Sequence, residues 1–511
     1  MEIKGGTGNE HTLREQVLVL LHYAVQHFYL VLILLFVGRS IKRRYFSPLY
    51  KYPGPFLASI SRTWKVISTA RGHTEHDFID LHRKYGPVVR IAPNELSFAS
   101  PQAAREVLTA GRGFHKTDFY GVFPPPENPD IFTETREHVH AQKKRVAATP
   151  YSMASMLNQS DRIDGVIQLL RAKLDGFAAA GHKNPIDLGN WLHYFAFDVL
   201  GEVAFSRLFG FLDEGCDVEG CIRTIDESQW YNGIVGQVPF ADRFLRRNPL
   251  WQYVPLLATK NALITRIALA EMAKRKPFAA DKPQKADLMG LLIRGHERDP
   301  DRFAEGDIFA VAHGAIFAGS DSTASTMQSF FSEVLRQPAV YAKLQKEIGD
   351  ASARGDLSDK ITWQEAQKLD YFQACLKEAL RLRPAVGVNI TRVVPPGGAD
   401  IDGKWYPGGI NVALNAWVLH RDKALFGADA DSYRPERWLE NESKARLMEK
   451  YGFWVSASEF PNGRSVQLTY CSSVEAVIYA LAATLLFWRS TKWFLCFSAI
   501  ITSHWYIRKG T

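Results

Sequence analysis

Residues 371–386 read YFQACLKEALRLRPAV and place two opposite charges within an apolar helical repeat. Glu378 and Arg381 are three residues apart, so on a helix they share one face and can form an ion pair. A solvated pair of this kind contributes only about 0.3–0.5 kcal/mol. A buried pair needs further partners for its hydrogen bonds, and Arg437, in the non-helical stretch RPERW at 434–438, is a candidate. The stretch predicts either an ordinary surface pair or a buried Glu–Arg–Arg network.

An apolar segment upstream contains an unusual run of small and polar residues. It reads HGAIFAGSDSTASTMQSFF over residues 313–331, and Gly319 in its middle is followed by Ser320, Asp321, Ser322 and Thr323. Glycine inside a helix costs about 1 kcal/mol relative to alanine, and serine and threonine compete for backbone hydrogen bonds. Two interpretations follow: the helix opens locally for a functional purpose, or it packs tightly on a neighbour through its small residues.

Hydrophobic periodicity predicts a mainly α-helical chain with small β-sheets. Apolar residues recur at three- and four-residue intervals over residues 160–180, 192–210, 260–275 and 307–335. Residues 86–101 favour a hairpin around the turn Pro93–Asn94. The Pro- and Gly-rich stretch 393–420 favours a small sheet with connecting loops. Because no internal repeat or second composition occurs before about residue 450, we expect one large domain.

Composition excludes several classes of protein. A chain of 511 residues that is 46% hydrophobic can bury a large core, which excludes a disordered or fibrous protein. The five cysteines are few and irregularly spaced, so we expect a reducing compartment and no disulfide framework. The net charge of +8 arises from 62 basic and 54 acidic residues, a surplus too small to indicate nucleic-acid binding.

The N-terminal region predicts a transmembrane anchor. Residues 16–38 contain no charged side chain and are long enough to cross a hydrocarbon layer, which requires about 20 helical residues. The basic run that follows places its side in the cytoplasm and residues 1–15 in the lumen. A cleaved signal peptide is the competing interpretation, although no small-residue cleavage site follows. Residues 39–55 are expected to form a basic and proline-rich neck.

The features occur in a specific order along the chain. After the anchor and the neck come A-G-S-D-S-T at 318–323, E-A-L-R at 378–381 and R-P-E-R-W at 434–438. In this order they resemble the microsomal cytochrome P-450 monooxygenases, particularly the fungal enzymes of specialised metabolism, over roughly residues 45–452. The resemblance implies a single P-450-like catalytic domain at 56–452 behind the anchor. Residues 453–511 would be an atypical apolar tail.

The resemblance assigns a catalytic role to the polar run in the apolar segment. Asp321 and Ser322 match the acid and the hydroxyl that deliver protons to dioxygen in this family, and Thr323 is adjacent. Cleavage of an O–O bond requires protons within hydrogen-bond reach of the reacting oxygen. Ser322 replaces a more frequent threonine, and the required hydroxyl is retained.

The resemblance also implies a set of haem-binding residues. His140 and either Lys144 or Arg145 match a helix that donates to a haem propionate, and Arg392 matches a second propionate contact from a strand. Cationic donors suit carboxylates because charge-assisted hydrogen bonds are the strong ones. The charged triad that holds the proximal core of the family matches Glu378, Arg381 and Arg437.

The iron ligand is not encoded in the form that the resemblance implies. The family's loop reads F-x-x-G-x-R-x-C-x-G, and its alignment on Phe460 and Gly463 puts Ser465 at the arginine and Gln467 at the cysteine. Glutamine cannot supply the anionic sulfur of a haem-thiolate enzyme. Cys471 is the nearest thiol and is the candidate metal ligand, although no glycine follows it.

The sequence downstream departs from the family pattern. Residues 474–510 read as two short apolar stretches, each too short to span a bilayer well, and Cys496 lies in an aromatic run. Three interpretations stay open. The C-terminal sequence comes from a shifted reading frame or a retained intron, it is a genuine non-catalytic variant, or a divergent loop binds haem through Cys471.

The activity implied by the resemblance is insertion of one oxygen atom of dioxygen into an apolar small molecule. Haem b would be the cofactor, and NADPH would supply electrons through an NADPH-cytochrome reductase. Substrate would contact Ala315–Ser322, Phe119–Phe123 and residues 385–389. We expect a single-pass protein of the endoplasmic reticulum membrane with its catalytic domain in the cytoplasm. The rival class is a haem-free membrane-anchored relic or binding protein on the same fold.

Overall fold

The computed structural model describes residues 8–123, 128–179, 186–248, 250, 263–275, 286–452, 457–459 and 465–467. The helices are α1 (Gly8–Tyr45), α2 (Phe56–Ile60), α3 (Thr63–Ala70), α4 (Thr74–Tyr85), α5 (Pro101–Leu108), α6 (Glu137–Ala147), α7 (Met153–Leu157), α8 (Ser160–Ala179), α9 (Leu188–Phe205), α10 (Phe211–Glu214), α11 (Cys221–Val235), α12 (Leu263–Arg275), α13 (Leu288–Arg298), α14 (Glu305–Arg336), α15 (Pro338–Ala353), α16 (Trp363–Ala366), α17 (Asp370–Leu382), α18 (Ala416–Leu419), α19 (Lys423–Phe426) and α20 (Glu442–Gly452). The strands are β1 (Val88–Ala92), β2 (Glu95–Phe98), β3 (His115–Lys116), β4 (Ile390–Val393), β5 (Ala399–Ile401), β6 (Lys404–Tyr406), β7 (Asn411–Leu414), β8 (Ala457–Glu459) and β9 (Ser465–Gln467).

The largest sheet has five strands in the order β1-β2-β7-β4-β3. The antiparallel pair β1–β2 is the hairpin expected at residues 86–101, with its turn at Pro93–Asn94. Strands β5 and β6 form a second hairpin, in which Asp402 and Gly403 have φ angles of 52° and 72°. Such left-handed values are those of a two-residue type I′ turn. The predicted class, mainly α with small β-sheets, is confirmed.

The long helix α14 forms the centre of the molecule. It extends over 32 residues and packs along α9 and against α12, α13 and α17. Buried apolar side chains of α8, α9, α14, α15 and α17 form a continuous core cluster, which includes Leu170, Phe195, Met327 and Phe330. Burial of each such side chain stabilises the fold by about 1.5–3 kcal/mol. The apolar stripe predicted over 307–335 is therefore the core-facing side of α14.

Helix α9 ends earlier than the predicted stretch 192–210. Ser206 has a left-handed φ of 56°, and the chain then turns back on the helix. The carboxylate of Asp198, fully buried in α9, accepts backbone N–H groups of the next segment, from Phe209, Gly210, Phe211 and Leu212. A buried charge is tolerated only with such partners. Apolar periodicity continues past Phe205, but this polar contact ends the helix.

The polar run does not open α14. The helix continues without interruption through Gly319. A β-carbon at Gly319 would lie 3.3 Å from Leu200 Cδ1 on α9, so the glycine permits close approach of the two helices. Of the two interpretations of this segment, tight packing describes the structure.

Helix α1 is a single helix of 38 residues that includes the predicted anchor and continues through the basic residues to Tyr45. Among the described residues, α1 is the one helix long and apolar enough to cross a membrane, and none of its apolar window is buried. The neck that follows is held against β1, because Arg90 N donates to Pro53 O at 2.7 Å. A β-carbon on Gly54 would overlap the carbonyl oxygen of Arg90, which explains a glycine between two prolines.

Candidate active site

The structure brings Glu378, Arg381 and Arg437 together in the interior. Arg381 donates to both carboxylate oxygens of Glu378, from Nε at 2.9 Å and from Nη2 at 2.8 Å. Arg437 Nε donates to Glu378 Oε1 at 2.8 Å. The first two residues are 0% exposed and Arg437 is 2% exposed. The pair in EALR is therefore part of a buried network and not an ordinary surface pair.

The remaining donors of this network are used within the chain. Arg381 Nη1 donates to the carbonyls of His420 and Ala430 at 2.7 and 2.6 Å, and Nη2 also donates to Ser432 O at 3.1 Å. All five N–H groups of the Arg381 guanidinium therefore have partners. The network ties α17 to the segment around residues 420–438. It holds this part of the fold together and leaves Arg381 no free donor for a ligand.

A second group of cations lies around His140 on α6. The antiparallel pairing of β3 with β4 sets Lys116 beside Arg392. Arg392 Nη1 donates to Tyr120 Oη at 2.9 Å, and Lys116 Nζ donates to the carbonyls of Ile131 and Phe132 at 2.7 and 2.8 Å. Lys144, one turn after His140, is partly buried, whereas Arg145 is exposed. We call His140, Lys144, Arg392 and Lys116 the cation pocket.

The members of the cation pocket destabilise one another's charged forms. Burial, and then the charges of Lys116, Lys144 and Arg392, lower the pKa of His140 from 6.5 to about 3. Burial, and then Arg392, lower the pKa of Lys116 from 10.5 to about 7. His140 Nδ1 is buried without a hydrogen bond. The protein has assembled positive charge here that favours an anion.

The acid of the polar run is paired across α14 and α9. Asp321 Oδ1 lies 3.0 Å from His193 Nε2, close enough for a hydrogen bond. Ser322 Oγ donates to the carbonyl of Ala318 at 2.8 Å, and Thr323 is buried. The Asp321 charge also reaches α11, where burial and then Asp321 raise the pKa of Asp226. The paired carboxylate of Asp321 therefore directly precedes the Ser322 hydroxyl in the sequence.

An aromatic wall lies near the cation pocket. Phe119, Tyr120, Phe123 and Phe132 pack edge to face, with ring centroids 5.2–5.5 Å apart. Ala318 is exposed although α14 crosses the middle of the molecule, so open space lies beside this face of the helix. These are two of the three regions that the sequence predicts to contact substrate.

Comparison with known proteins identifies the family. A family model described as Cytochrome P450 matches residues 53–453 of this chain. The chain belongs to the cytochrome P450 family. The matched region begins in the neck and ends just after α20, so it includes both the Glu378 network and the cation pocket of this cytochrome P450.

Several curated fungal proteins are similar to this cytochrome P450 over most of its length. Cytochrome P450 monooxygenase hepC of Aspergillus oryzae is 35% identical over 418 residues, which cover 78% of this chain and 79% of the relative. Cytochrome P450 monooxygenase cicH of Emericella nidulans is 36% identical, with 78% and 80% covered. A pisatin demethylase of Fusarium vanettenii is 34% identical, with 80% of each chain covered.

The cation pocket of this cytochrome P450 fits the acidic edge of a haem. The family implies haem and a reductase that supplies electrons. Haem carries two propionate carboxylates, and this cluster of basic groups, in which His140 Nδ1 lacks a hydrogen bond and lies 3.8 Å from Glu137 Oε1, is suited to receive them. Burial makes such charge-assisted hydrogen bonds stronger, because the dielectric is low. The residues present therefore fit this part of the cofactor.

The described cysteines of this cytochrome P450 do not supply a thiolate. Cys221 and Cys375 are buried, and Cys216 is exposed. Burial raises the pKa of the Cys221 thiol to about 12 and raises the pKa of Cys375 still further above its ordinary value. Cys471 and Cys496 lie outside the described residues. In the part of the chain that the structure describes, no cluster of three or more His, Cys, Asp or Glu could hold a metal ion.

Sequence reasoning missed two residues of this site, Lys116 and His193. Lys116 precedes Tyr120 by four residues in GRGFHKTDFYGVF, and only the β3–β4 register places it beside Arg392. The signal that could have identified Lys116 was its charge in a short strand opposite Arg392, a predicted propionate donor. His193 had no such signal, because its partner Asp321 is 128 residues away.

Proposed function

We propose that this cytochrome P450 is a membrane-anchored monooxygenase that inserts one oxygen atom into an apolar small molecule of fungal specialised metabolism. Haem b is its cofactor, and NADPH is its electron source through a membrane-bound reductase. The cation pocket is the observation that carries the proposal, because the haem propionates would stabilise the charged forms of basic groups whose pKa values burial and neighbouring cations lower. The monooxygenase names of similar fungal proteins support the same reaction class and do not favour a haem-free relic.

Each side chain of the cation pocket has a role in holding the cofactor. His140 Nδ1, Lys144 and Arg392 donate to the propionates, and Lys116 adds positive charge behind them. We propose Lys144 and not Arg145 for this role because Arg145 is exposed. The Glu378 network would keep α17 and the RPERW segment in place when the cofactor is bound. When bound, haem supplies the activation of dioxygen.

Protons reach the reacting face of α14 through Asp321. The His193 ring holds Asp321 Oδ1 by the 3.0 Å contact, so the carboxyl is fixed one residue before the Ser322 hydroxyl. Asp321 accepts a proton at its carboxylate and passes it toward the Ser322 hydroxyl. The neighbouring Thr323 is buried. General acid catalysis of this kind contributes about 10²–10⁴-fold to a rate.

Substrate occupies the apolar space between α14 and the aromatic wall. Phe119 and Phe123 belong to the aromatic wall, and Val386, which is 53% exposed, lies in the third predicted substrate region. Pockets for small organic ligands are lined mainly by such apolar and aromatic groups. One similar protein is named pisatin demethylase, which states demethylation of pisatin by that relative.

The proposed iron ligand is Cys471. Ser465 and Gln467, which occupy the family's arginine and cysteine positions, are the ends of β9, which pairs with β8 in a two-stranded sheet. Neither side chain supplies a thiolate. Cys471 is the nearest cysteine that follows this strand.

The experiment is a carbon monoxide difference spectrum of the reduced, purified full-length protein, together with its haem content. We expect one haem per chain and the thiolate-type band that gives the family its name. Cys471→Ser should abolish that band, whereas the control Cys496→Ser should keep it. If the unmodified protein retained haem but lacked this band, a thiolate ligand would be excluded. Absence of haem would leave the haem-free membrane protein as the function.

A further inference from the structure

Arg90 on β1 is a buried cation with an incomplete set of partners. Its side chain is 1% exposed. Nη2 donates to Arg43 O, near the end of α1, and to Pro93 O, both at 2.7 Å. Nε and Nη1 are buried without any hydrogen-bond acceptor. Unsatisfied N–H groups on a buried charge are costly, so the chain itself only partly compensates the positive charge at this position.

Three more arginines lie in this region: Arg43 and Arg44 in the last turn of α1, and Arg62 just before α3, where its charge acts on Arg43. Arg43 Nη1 donates to Ile60 O at 2.8 Å, and Arg62 Nη1 donates to Gln237 O at 3.2 Å. The Arg44 guanidinium lies over the ring of Phe56, 5.8 Å from its centroid. We call these four arginines, Arg43, Arg44, Arg62 and Arg90, the junction cluster.

Within the described residues, the junction cluster has no carboxylate partner. None of its four guanidinium groups forms an ion pair there. Burial, and then the charge of Arg44, lower the pKa of Arg90 from 12.5 to about 10, and no acidic residue offsets this. The neighbouring Lys65 differs, because its Nζ lies 2.6 Å from Glu95 Oε1. The positive charge of the cluster is therefore not neutralised by the chain itself.

The position of the junction cluster indicates where an anion would come from. The cluster follows the apolar part of α1, the candidate membrane span. Exposed aromatic side chains surround it, namely Tyr45, Phe46, Tyr50 and Phe56. Aromatic residues with arginine and lysine are typical of the headgroup layer of a membrane. The anions of that layer are lipid phosphates and carboxylates.

We propose that the junction cluster binds the headgroup of an anionic phospholipid and so fixes the catalytic body against the membrane. Arginine donors match phosphate oxygens in geometry and charge. Arg44 and Arg62 contact the headgroup from outside, and Arg90 joins the end of α1 to the sheet beneath them. The proposal rests on α1 crossing the membrane, and it is independent of haem and of the oxygenase reaction.

The test compares two charge-matched double variants of the full-length protein in lipid vesicles. Arg44→Gln with Arg62→Gln removes two cluster charges and leaves Arg43 and Arg90, which hold the fold. Lys42→Gln with Lys51→Gln removes two exposed charges of the same region that lie outside the cluster. Vesicles contain phosphatidylcholine alone or with phosphatidylserine. Measurements are made at about 1 M salt, where the Debye length of about 3 Å leaves mainly direct contacts.

Two quantities are measured, the thermal unfolding midpoint and the phosphatidylserine that stays bound on extraction into detergent. We expect phosphatidylserine to raise the midpoint of the unmodified protein and of the lysine variant. The arginine variant should lose the shift and bind the lipid about fivefold more weakly for each arginine removed.

Four results would overturn the proposal. Equal loss in both variants would show diffuse attraction only. An equal shift from inorganic phosphate in detergent would assign the cluster to free phosphate. If the unmodified protein resists carbonate extraction but phosphatidylserine does not shift its unfolding midpoint, the cluster binds no headgroup. Release of the unmodified protein by carbonate would instead show that α1 does not anchor it, and the proposal would fall with that anchor.

Discussion

At the scale of single residues, the carboxylate of Glu378 receives more hydrogen bonds than any sequence pattern indicates. Its Oε1 accepts from Arg381, from Arg437 and from the backbone N–H of Arg434. Its Oε2 accepts from Arg381 and from the indole of Trp438. Full satisfaction is what allows a fully buried charge to persist in an apolar interior. The residue therefore acts as a fixed point between α17 and the RPERW segment.

Arg381→Ala should unfold the body of the protein. The substitution leaves the buried Glu378 charge without its main partner, and loss of one member of a buried pair costs about 3–5 kcal/mol. Denaturant unfolding of the full-length protein in detergent measures the change. The control is Arg446→Ala, whose exposed pair with Glu442 at 2.9 Å should contribute less than about 1 kcal/mol. If Arg381→Ala protein kept its full stability and its haem, the structural role of the network would be wrong.

The cation pocket should make the stability of the haem-free protein depend on pH. Between the folded pKa of Lys116, about 7, and its ordinary value of 10.5, the unfolded chain binds a proton that the folded chain does not. Stability therefore rises with pH across this window and is lower on its acid side. Lys116→Met should remove this slope, and Lys51→Met should keep it, as measured by denaturant midpoints from pH 7 to 10.5.

Haem should reduce the same slope, because propionate charges stabilise the charged form of Lys116. An identical slope with and without haem would place the propionates elsewhere. An identical slope in the unmodified and Lys116→Met proteins would show that Lys116 is not the titrating group.

His193 should act through Asp321. Asp321→Asn should lower the rate of product formation on the order of 100-fold, because it removes a proton donor. His193→Phe should lower product formed per NADPH and raise hydrogen peroxide release, with substrate affinity unchanged, and His193→Gln should restore part of the loss. Combined with Asp321→Asn, His193→Phe should add no further loss. Additive losses would mean that the two residues act independently, and the exposed His138→Phe is the control.

At the scale of elements, periodicity predicted where the main helices lie, and contacts between distant segments decided where they end. The predicted stretch 160–180 is α8 almost to the residue, because its apolar face packs on α9 without interruption. Helix α9 stops five residues before its predicted end, since Asp198 captures the backbone that follows. A hydrophobic pattern records which face is buried, but it does not record a polar contact that forms after the chain has turned.

The neck between α1 and the body should depend on Gly54. Gly54→Ala places a β-carbon on the Arg90 carbonyl oxygen and should destabilise the body by about 1–3 kcal/mol. Gly349→Ala is the matched control, because nothing lies within 4 Å of its β-carbon in α15. That change should stabilise the protein by about 0.5–1 kcal/mol through helix propensity. Unfolding midpoints of the two variants measure the contrast, and equal midpoints would contradict the close approach of Gly54 to β1.

At the scale of the whole molecule, we predict that α1 crosses the endoplasmic reticulum membrane with the body in the cytoplasm. A tag before residue 8 should be protected from protease in sealed microsomes, and the body should be digested. Leu32→Arg should weaken retention, because arginine at the centre of a span costs about 2.5–3.5 kcal/mol, whereas Leu32→Ala should not. Cleavage of the tag in sealed vesicles would reverse the orientation.

Parts of the site could be predicted from sequence because their residues are close in the chain or belong to a recognisable segment. Glu378 and Arg381 share a helical turn, and His140 precedes Lys144 by one turn. Lys116 and His193 could not be predicted in the same way. Their partners are brought to them by strand register and by the packing of α9 on α14, and neither is visible in local spacing.

The sequence by itself determined the helical class, the candidate membrane span, the order of the charged segments and the departure from the family pattern after residue 452. These follow from periodicity and from short-range spacing, which act within one or two helical turns. Only the tertiary structure decided that the EALR pair is buried, that Lys144 and not Arg145 joins the cation pocket, and that four arginines meet at the end of α1. The physical reason is that burial and charge density depend on which surfaces meet when distant segments pack.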